Sequence, residues 1–170
     1  MQSLNKQRIL LVSFGVIGQV FLKDLIAALE KELGISVELA VSHYDLNRFY
    51  DPARRQYDAN KIIHYLHDQY RLNKTKVIGI LPADIFIPIL TYVIGQAVFN
   101  GSAGVVSFFR LKNELYGLKQ DERLLFDRFY KEVLHEIGHI FGLRHCVSPV
   151  CIMRPATYVE EVDEKRPAFC

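Results

Sequence analysis

The first half of the chain alternates between short apolar runs and longer segments with helical periodicity. Residues 8–14 (RILLVSF) are apolar throughout, which is typical of a strand covered on both faces. Residues 18–33 predict a helix that ends at Gly34. The side chains predicted to face the core from this helix are Val20, Phe21, Leu25, Ala28 and Leu29. Two more strands, a second helix and the order strand–helix–strand–helix–strand predict an α/β layer with right-handed crossovers.

The further elements are less evenly spaced. Residues 37–41 and 76–81 are the two additional strands, and residues 57–70 are the second helix. Residues 85–99 are apolar without a clear period, so either a strand or a helix fits them. Residues 105–111 (VVSFFRL) predict another strand, whereas the tail beyond Cys146 has little periodicity.

A long helix is predicted at residues 122–141, and no repeat, low-complexity tract or linker divides the chain. With 170 residues, of which 50% are hydrophobic and 24% charged, the chain can bury a full core. We therefore expect residues 1–170 to form one domain, with an α/β part at 1–118 and the candidate chemistry at 119–170.

The charge pattern excludes some classes of partner. A formal net charge of +2 with scattered Lys and Arg argues against nucleic-acid binding. The apolar run at residues 9–22 could be a secretory signal, but no small-residue cleavage site follows it, and Gly15 and Gly18 interrupt it. A strand, a turn and a helix are favoured, and the run is too short to span a bilayer. No membrane association is expected.

Residues 135–145 carry histidines at the spacing of a metal site. His135 and His139 are four apart on the predicted helix, so both imidazoles can reach one ion. Glu136 lies about 100° further round the helix and can reach a metal-bound water without being a ligand. Gly142 permits a left-handed helix end, after which His145 can supply a third imidazole. A lone helical histidine is usually only a packed residue, but this complete spacing favours a metal site.

The ligand set predicts the chemistry. Three neutral imidazoles leave a fourth tetrahedral position for water, as in catalytic zinc sites. Zinc lowers the pKa of bound water to about 7 and polarises a scissile carbonyl. Glu136 is the predicted general base, which would take the proton from the zinc-activated water and deliver it to the leaving amine.

The motif H-E-x-x-H-x-x-G-x-x-H followed by a methionine is the signature of the metzincins. Met153 is placed to form the Met-turn, an apolar floor beneath the histidines, although it could be an ordinary core methionine. Within this clan, the residues that follow the third histidine resemble the archaemetzincins. The segments that carry this likeness are His145-Cys146, Cys151-Ile152-Met153 and Phe169-Cys170.

The resemblance extends upstream over nearly the whole chain. The segments that look like recurring archaemetzincin segments are Arg55-Gln56-Tyr57, Asp84-Ile85-Phe86, Gly95-Gln96-Ala97, and Ser107 with Arg110-Leu111. The resemblance implies a compact metzincin-like (zincin) α/β fold, in which a twisted mixed sheet carries an active-site helix and a Met-turn.

The three cysteines, Cys146, Cys151 and Cys170, all lie in the last quarter of the chain. Their odd number argues against a complete disulfide framework, and their position behind the histidines favours metal ligands and a reducing, cytoplasmic setting. The resemblance implies that they hold a second, structural zinc together with a fourth cysteine. Because the sequence stops at Cys170, the fourth ligand is open: water, another group of the chain, no ion at all, or a cysteine of a longer natural chain.

The substrate surface is predicted from the sheet. Metallopeptidases of this type commonly bind a peptide as an added strand along a sheet edge. The strand before the zinc helix is the candidate rim, with Val105, Val106, Ser107 and Phe108 as substrate-binding residues. The alternative is that this strand is internal and fully paired.

Two functions are compatible with these residues. The first is a monomeric zinc-dependent peptidase that hydrolyses peptide or protein substrates. The second is a zinc-stabilised binding protein with a shielded or inactive site, which the small size, the lack of an obvious propeptide and the expected cytoplasmic setting suggest. The peptidase is favoured because Glu136 is retained beside the ligands.

Overall fold

The structure is a computed structural model that describes residues 7–70 and 75–170. In chain order the helices and strands are β1 (Arg8–Phe14), α1 (Gln19–Leu33), β2 (Ser36–Ser42), β3 (Tyr50–Asp51), β4 (Gln56–Asp58), α2 (Ala59–Gln69), β5 (Thr75–Leu81), β6 (Ile85–Phe86), β7 (Gly95–Ala97), β8 (Ala103–Ser107), α3 (Glu122–Ile140) and α4 (Val159–Glu164). Short 3-10 helices occur at Leu46–Phe49, Phe109–Leu111 and Asn113–Tyr116.

Five strands form a mixed sheet in the spatial order β2-β1-β5-β8-β7. The first four strands are parallel to their neighbours, and β7 returns antiparallel to β8. Consequently β8 is paired on both sides, and β7 is an edge strand. A second, three-stranded sheet has the order β3-β4-β6.

Two hydrophobic cores lie on opposite faces of the main sheet because successive side chains of a strand point to opposite faces. Ile9 and Leu11 of β1 pack in a cluster with side chains of α1 and α3. Leu10 and Val12 pack in the other cluster with side chains of α2. Helix α3 therefore lies against the sheet along its length, which places the last turns of α3 beside the edge strand β7.

The α/β fold predicted from the sequence is confirmed, as are the first strand and the helical core face at Leu25 and Leu29. The prediction that Val20 faces the core is wrong, because Val20 is 73% exposed and Leu22 is buried in its place. Helix α2 begins two residues later than predicted: the side chain of Asp58 accepts a hydrogen bond from the N–H of Lys61 and caps the helix.

The second half differs more from the sequence pattern. The predicted strand at residues 105–111 ends at Ser107, and a 3-10 turn follows it. The apolar segment 85–99 contributes two short strands rather than one long element. The tail contains helix α4, which the sequence pattern did not predict. Among the described residues, no helix is long and apolar enough to cross a membrane.

Candidate active site

Three imidazoles converge at the end of helix α3. The Nε2 atom of His139 lies 3.1 Å from Nε2 of His135 and 3.1 Å from Nε2 of His145. Nitrogen ligands about 2.0–2.1 Å from a tetrahedral ion are about 3.3 Å from one another. The spacing of the three nitrogen atoms therefore fits one zinc ion.

The other ring nitrogens of two of these histidines fix the tautomer. Nδ1 of His135 lies 2.8 Å from the carbonyl oxygen of Ile152, and Nδ1 of His139 lies 2.8 Å from that of Leu143. A carbonyl only accepts, so each Nδ1 carries the proton and each Nε2 presents a lone pair. Converging lone pairs repel one another without a cation between them, so this donor set also fits a metal ion.

The environment of His135 and His145 favours their neutral forms by lowering their pKa values. Burial, followed by the charge of Lys165, lowers the pKa of His135 to about 3. The pKa of His145 is lowered by burial and then by His139. Neutral imidazole is the form that binds a metal, so protons compete weakly for His135.

A left-handed turn brings His145 back to the helix. Gly142 has φ of 88°, a conformation that glycine adopts without the strain that other residues incur. Its N–H donates to the carbonyl of His139 (2.9 Å), and the N–H of Leu143 donates to that of Gly138 (2.9 Å). These two bonds are those of a Schellman motif, and they end α3 at Ile140, one residue before the predicted end.

Met153, the predicted Met-turn residue, packs against helix α3. It is 3% exposed, and its Sδ packs against Gly138, which directly precedes His139. A side chain at position 138 would overlap this sulfur. The preceding residue, Ile152, supplies the carbonyl that orients His135, so this turn supports the ligands through both backbone and side chain.

Glu136 lies beside the ligands and is 5% exposed. Its Oε2 is buried without a hydrogen-bond partner. Burial, and then the nearby charge of Glu132, raises the pKa of Glu136 well above its usual value. The carboxylate lies against the backbone of Gly95 in β7: an added Cβ there would be 2.6 Å from Oε1. Glycine at this position therefore allows the close approach of helix and edge strand.

These residues lie in a cleft of about 740 Å³. One wall, which we call the rim, consists of residues 90–97. Residues 155–157 form the opposite wall, and α3 supplies the floor through Glu132, His135, Glu136 and His139.

The prediction that residues 105–108 bind the substrate is wrong. Val105, Val106, Ser107 and Phe108 are buried, and they do not line the cleft. Strand β8 is internal, because β5 pairs with one side of it and β7 with the other. The rim of the cleft is instead β7 with the segment before it.

The three cysteines form a second cluster. Their Sγ atoms all lie within 4.8 Å of one another, and Sγ of Cys146 is 3.5 Å from Sγ of Cys170. Burial raises the pKa of Cys151, but hydrogen bonds from the backbone of Met153 and from Cys170 outweigh it and lower that pKa overall. Hydrogen bonding with Cys151 and Cys146 raises the pKa of Cys170 to about 11. Thiol donors at this spacing fit a soft metal ion such as zinc.

Sequence reasoning missed several residues of the site. Glu132 lines the cleft, and its Oε1 is 3.0 Å from Nζ of the fully buried Lys165. Its position four residues before Glu136 is the one signal that could have placed it on the same helix face. Gly95, Tyr92 and Thr157 also line the cleft, but only the tertiary structure brings them there.

A water-accessible three-histidine centre with a buried glutamate beside it, in a cleft along a sheet edge, is the arrangement of a zinc metallopeptidase. Comparison with known proteins supports the same class of protein. The model of a family described as Peptidase family M54 matches residues 15–170. The chain belongs to peptidase family M54, and it is a zinc metallopeptidase.

Its relatives are archaemetzincins, as the sequence predicted. The chain is 34% identical to archaemetzincin of Pyrococcus horikoshii over 156 residues, which cover 88% of this chain and 81% of the relative. It is 32% identical to that of Thermococcus kodakarensis over 168 residues, which cover 95% and 90% of the two chains.

Solved structures show the same fold. A zinc-dependent peptidase from Methanocorpusculum labreanum has a TM-score of 0.85 and 30% identity, covering 95% of each chain. Archaemetzincin from Methanopyrus kandleri has a TM-score of 0.84 and 29% identity, covering 100% of this chain and 93% of the other.

Proposed function

We propose that this protein hydrolyses peptide bonds at a zinc ion held by His135, His139 and His145, with Glu136 as general base. The observation that carries the proposal is a buried carboxylate with an unpartnered oxygen, placed beside three converging imidazole nitrogen atoms in an open cleft. When bound, zinc supplies a Lewis acid that makes water more acidic and polarises a substrate carbonyl.

Glu136 has the properties that a general base needs. Its burial raises its pKa, so the carboxylate accepts a proton more readily than an exposed glutamate. A cation at the three imidazoles opposes this rise by favouring the charged form. Glu136 would hold the proton taken from water and then release it to the leaving amine.

The backbone of β7 supports a peptide substrate in extended form. The N–H of Val98 donates to the carbonyl of Ala103 in β8 (3.0 Å), and every second residue of the strand faces β8 in this way. Gly95 and Ala97 are offset by one residue, so their backbone groups point away from β8 along the open edge. A bound peptide would pair with these groups whatever its sequence.

We also propose a second, structural zinc at Cys146, Cys151 and Cys170. The close approach of the three Sγ atoms supports it. Cys146 directly follows the ligand His145, and its N–H donates to the carbonyl of Met153 (3.0 Å). An ion at the cysteines would thereby stabilise both the third histidine and the turn beneath the site.

Substitution of Glu136 tests the function. We expect zinc-loaded wild-type protein to produce new peptide termini in a complex peptide mixture, and Glu136→Gln to lose at least about 100-fold in rate because the base is gone. Zinc content, measured by mass spectrometry, should be the same in both. Glu122→Gln, which removes an exposed carboxylate from the first turn of the same helix, is the matched control and should keep full activity.

Two results would contradict the proposal. Equal rates for wild type and Glu136→Gln would exclude Glu136 as the base. No cleavage by zinc-loaded wild type would instead indicate a zinc-stabilised binding protein with a shielded site.

A further inference from the structure

A hydrogen bond crosses the cleft from one wall to the other. The hydroxyl of Tyr92, on the rim, donates to the carbonyl oxygen of Thr157 on the opposite wall at 2.9 Å. We call this contact the clasp. Within residues 7–70 and 75–170, no second hydrogen bond joins these two walls.

The rim side of the clasp is rigidly supported. The guanidinium carbon of Arg110 lies 3.7 Å from the centre of the Tyr92 ring. Arg110 donates two hydrogen bonds to the carboxylate of Asp84, at 2.7 and 2.6 Å. The same carboxylate accepts a bond from Gln56, whose amide also donates to the carbonyl of Thr91 (3.0 Å). One polar network thus fixes both the ring of Tyr92 and the backbone just before it.

The opposite side is fixed independently. The carboxylate of Glu161 accepts hydrogen bonds from the N–H groups of Thr157 (2.6 Å) and Tyr158 (3.0 Å). Helix α4, which contains Glu161, is joined to α3 by the bidentate contact of Arg128 with Asp163 (2.7 Å for each bond). Because both partners are held by their own elements, the clasp does not depend on a mobile side chain.

The clasp lies close to the candidate chemistry. Tyr92 is three residues before Gly95, whose backbone lies against Glu136. Because an extended chain advances at most about 3.3–3.6 Å per residue, the Cα atom of Tyr92 is no further than about 10–11 Å along the rim from that of Gly95. An extended peptide that pairs with the rim therefore meets the clasp after about three residues on that side of the scissile bond.

We infer that Tyr92 is a specificity-determining residue, which closes one end of the cleft and limits the substrate to about three residues on that side of the scissile bond. The inference rests on the proposed peptidase function for its substrate class. It also gives a role to Gln56, Asp84 and Arg110, which lie outside the metal centre and position the tyrosine.

Peptides that grow by one residue at a time test the limit. One series extends the N-terminal side of a cleaved bond, and a second extends the C-terminal side. For wild type, kcat/KM should fall at least about tenfold beyond roughly three residues in one series only. In Tyr92→Ala this fall should disappear. Tyr50→Ala removes a half-exposed tyrosine from the small sheet and should keep the wild-type profile.

Measurements of peptide binding test the clasp independently of catalysis. The same peptides, labelled with a fluorophore, are titrated by anisotropy into zinc-loaded Glu136→Gln with and without Tyr92→Ala. A length limit that Tyr92→Ala removes supports the clasp even when wild type cleaves nothing, in which case only the proposed function fails. Equal binding at all lengths, or the same limit in both proteins, overturns the clasp.

A conservative variant keeps the inference testable if Tyr92→Ala does not fold. If Tyr92→Ala does not give a cooperative thermal transition, Tyr92→Phe decides, because it keeps the ring over Arg110 and removes only the hydroxyl bond. The ratio of long-peptide to short-peptide binding should then rise at least about threefold. An unchanged ratio overturns the inference.

Discussion

At the scale of single residues, a buried ion pair joins the cleft floor to the tail of the chain. The side chain of Lys165 is 0% exposed and that of Glu132 is 5% exposed, and their charged atoms are 3.0 Å apart. Two buried charges are tolerated because each compensates the other, and removal of one leaves the other unpaired in a medium of low polarity. This pair joins the tail of the chain to α3 one turn before the candidate metal ligands.

Lys165→Met should therefore lower the free energy of unfolding by about 3–5 kcal/mol. The double variant Lys165→Met with Glu132→Leu should recover most of this loss, because no unpaired charge remains. Chemical denaturation of the two variants and wild type measures both effects. Equal losses in the single and double variants would show that burial of the unpaired carboxylate is not the cause.

Gly95 is a second residue whose substitution should have a local and specific effect. In Gly95→Ala the new methyl group meets the carboxylate of Glu136, so the carboxylate must move. We expect kcat for peptide cleavage to fall by about 10- to 100-fold and the free energy of unfolding by about 1–3 kcal/mol.

Gly18→Ala is the matched control for this substitution. A methyl group at Gly18 meets no atom closer than 4.0 Å, and its backbone angles suit alanine. Its effect on stability should stay below about 1 kcal/mol, with kcat unchanged. A loss of activity as large as that of Gly95→Ala would rule out contact with Glu136 as the explanation.

At the scale of elements, the end of helix α3 decides whether the third histidine reaches the other two. The left-handed residue Gly142 reverses the chain, and Asn100 donates its N–H to the carbonyl of His139 (2.9 Å). The Nζ of Lys76 donates to the carbonyls of Gly101 (2.5 Å) and Ile140 (3.4 Å). The helix end is thus joined to β5 and to the turn before β8, not only to its own residues.

Substitution of Gly142 tests the importance of this turn. Gly142→Ala should lower the free energy of unfolding by about 1–2 kcal/mol, because a Cβ is unfavourable at positive φ. Gly142→Asn should cost less, because asparagine tolerates the left-handed region. Zinc affinity, measured by competition with a chelator, should follow the same order: glycine, then asparagine, then alanine. Asparagine and alanine variants of equal stability would contradict strain as the cause.

At the scale of the whole molecule, buried titratable groups couple stability to pH. His135 has a pKa of about 3 in the folded metal-free protein, whereas an unfolded histidine has one of about 6.5. Below pH 6.5 His135 binds a proton in the unfolded chain but stays neutral in the folded chain. The stabilising contribution is therefore present above pH 6.5 and is lost as the pH falls from 6.5 towards 3.

The metal-free protein should lose free energy of unfolding over this window relative to His135→Gln, by up to about 1.4 kcal/mol per pH unit. Comparison with His135→Gln cancels groups common to both, including Glu136, whose raised pKa acts in the opposite direction. Denaturation at several pH values after zinc removal measures the difference. A difference that is constant from pH 6.5 to 4 would contradict burial of a neutral His135.

Much of the candidate site was predictable because its geometry is local. Helical periodicity alone places His135, Glu136 and His139, and a glycine at position 142 is enough to predict the reversal that delivers His145. The alternating apolar runs of the first half likewise predicted the α/β class, since each run specifies one strand or one helix face.

The position of the substrate edge was not predictable in this way. Residues 105–111 have the pattern of a strand, but no local signal shows whether a strand has one neighbour or two. Strand β7 has only three residues and lies in an apolar segment without a period, so nothing in the sequence showed that it would cover the edge of β8.

The sequence by itself determined the candidate metal ligands, the helix that carries two of them and the α/β class, because these depend on residue type and spacing within a few turns of chain. Only the tertiary structure decided which strand borders the cleft, which charge neutralises Glu132, and that Tyr92 meets Thr157. The last two contacts join residues 33 and 65 positions apart. Such contacts form where packed elements meet, so they depend on how the whole chain buries its apolar surface and not on any local pattern.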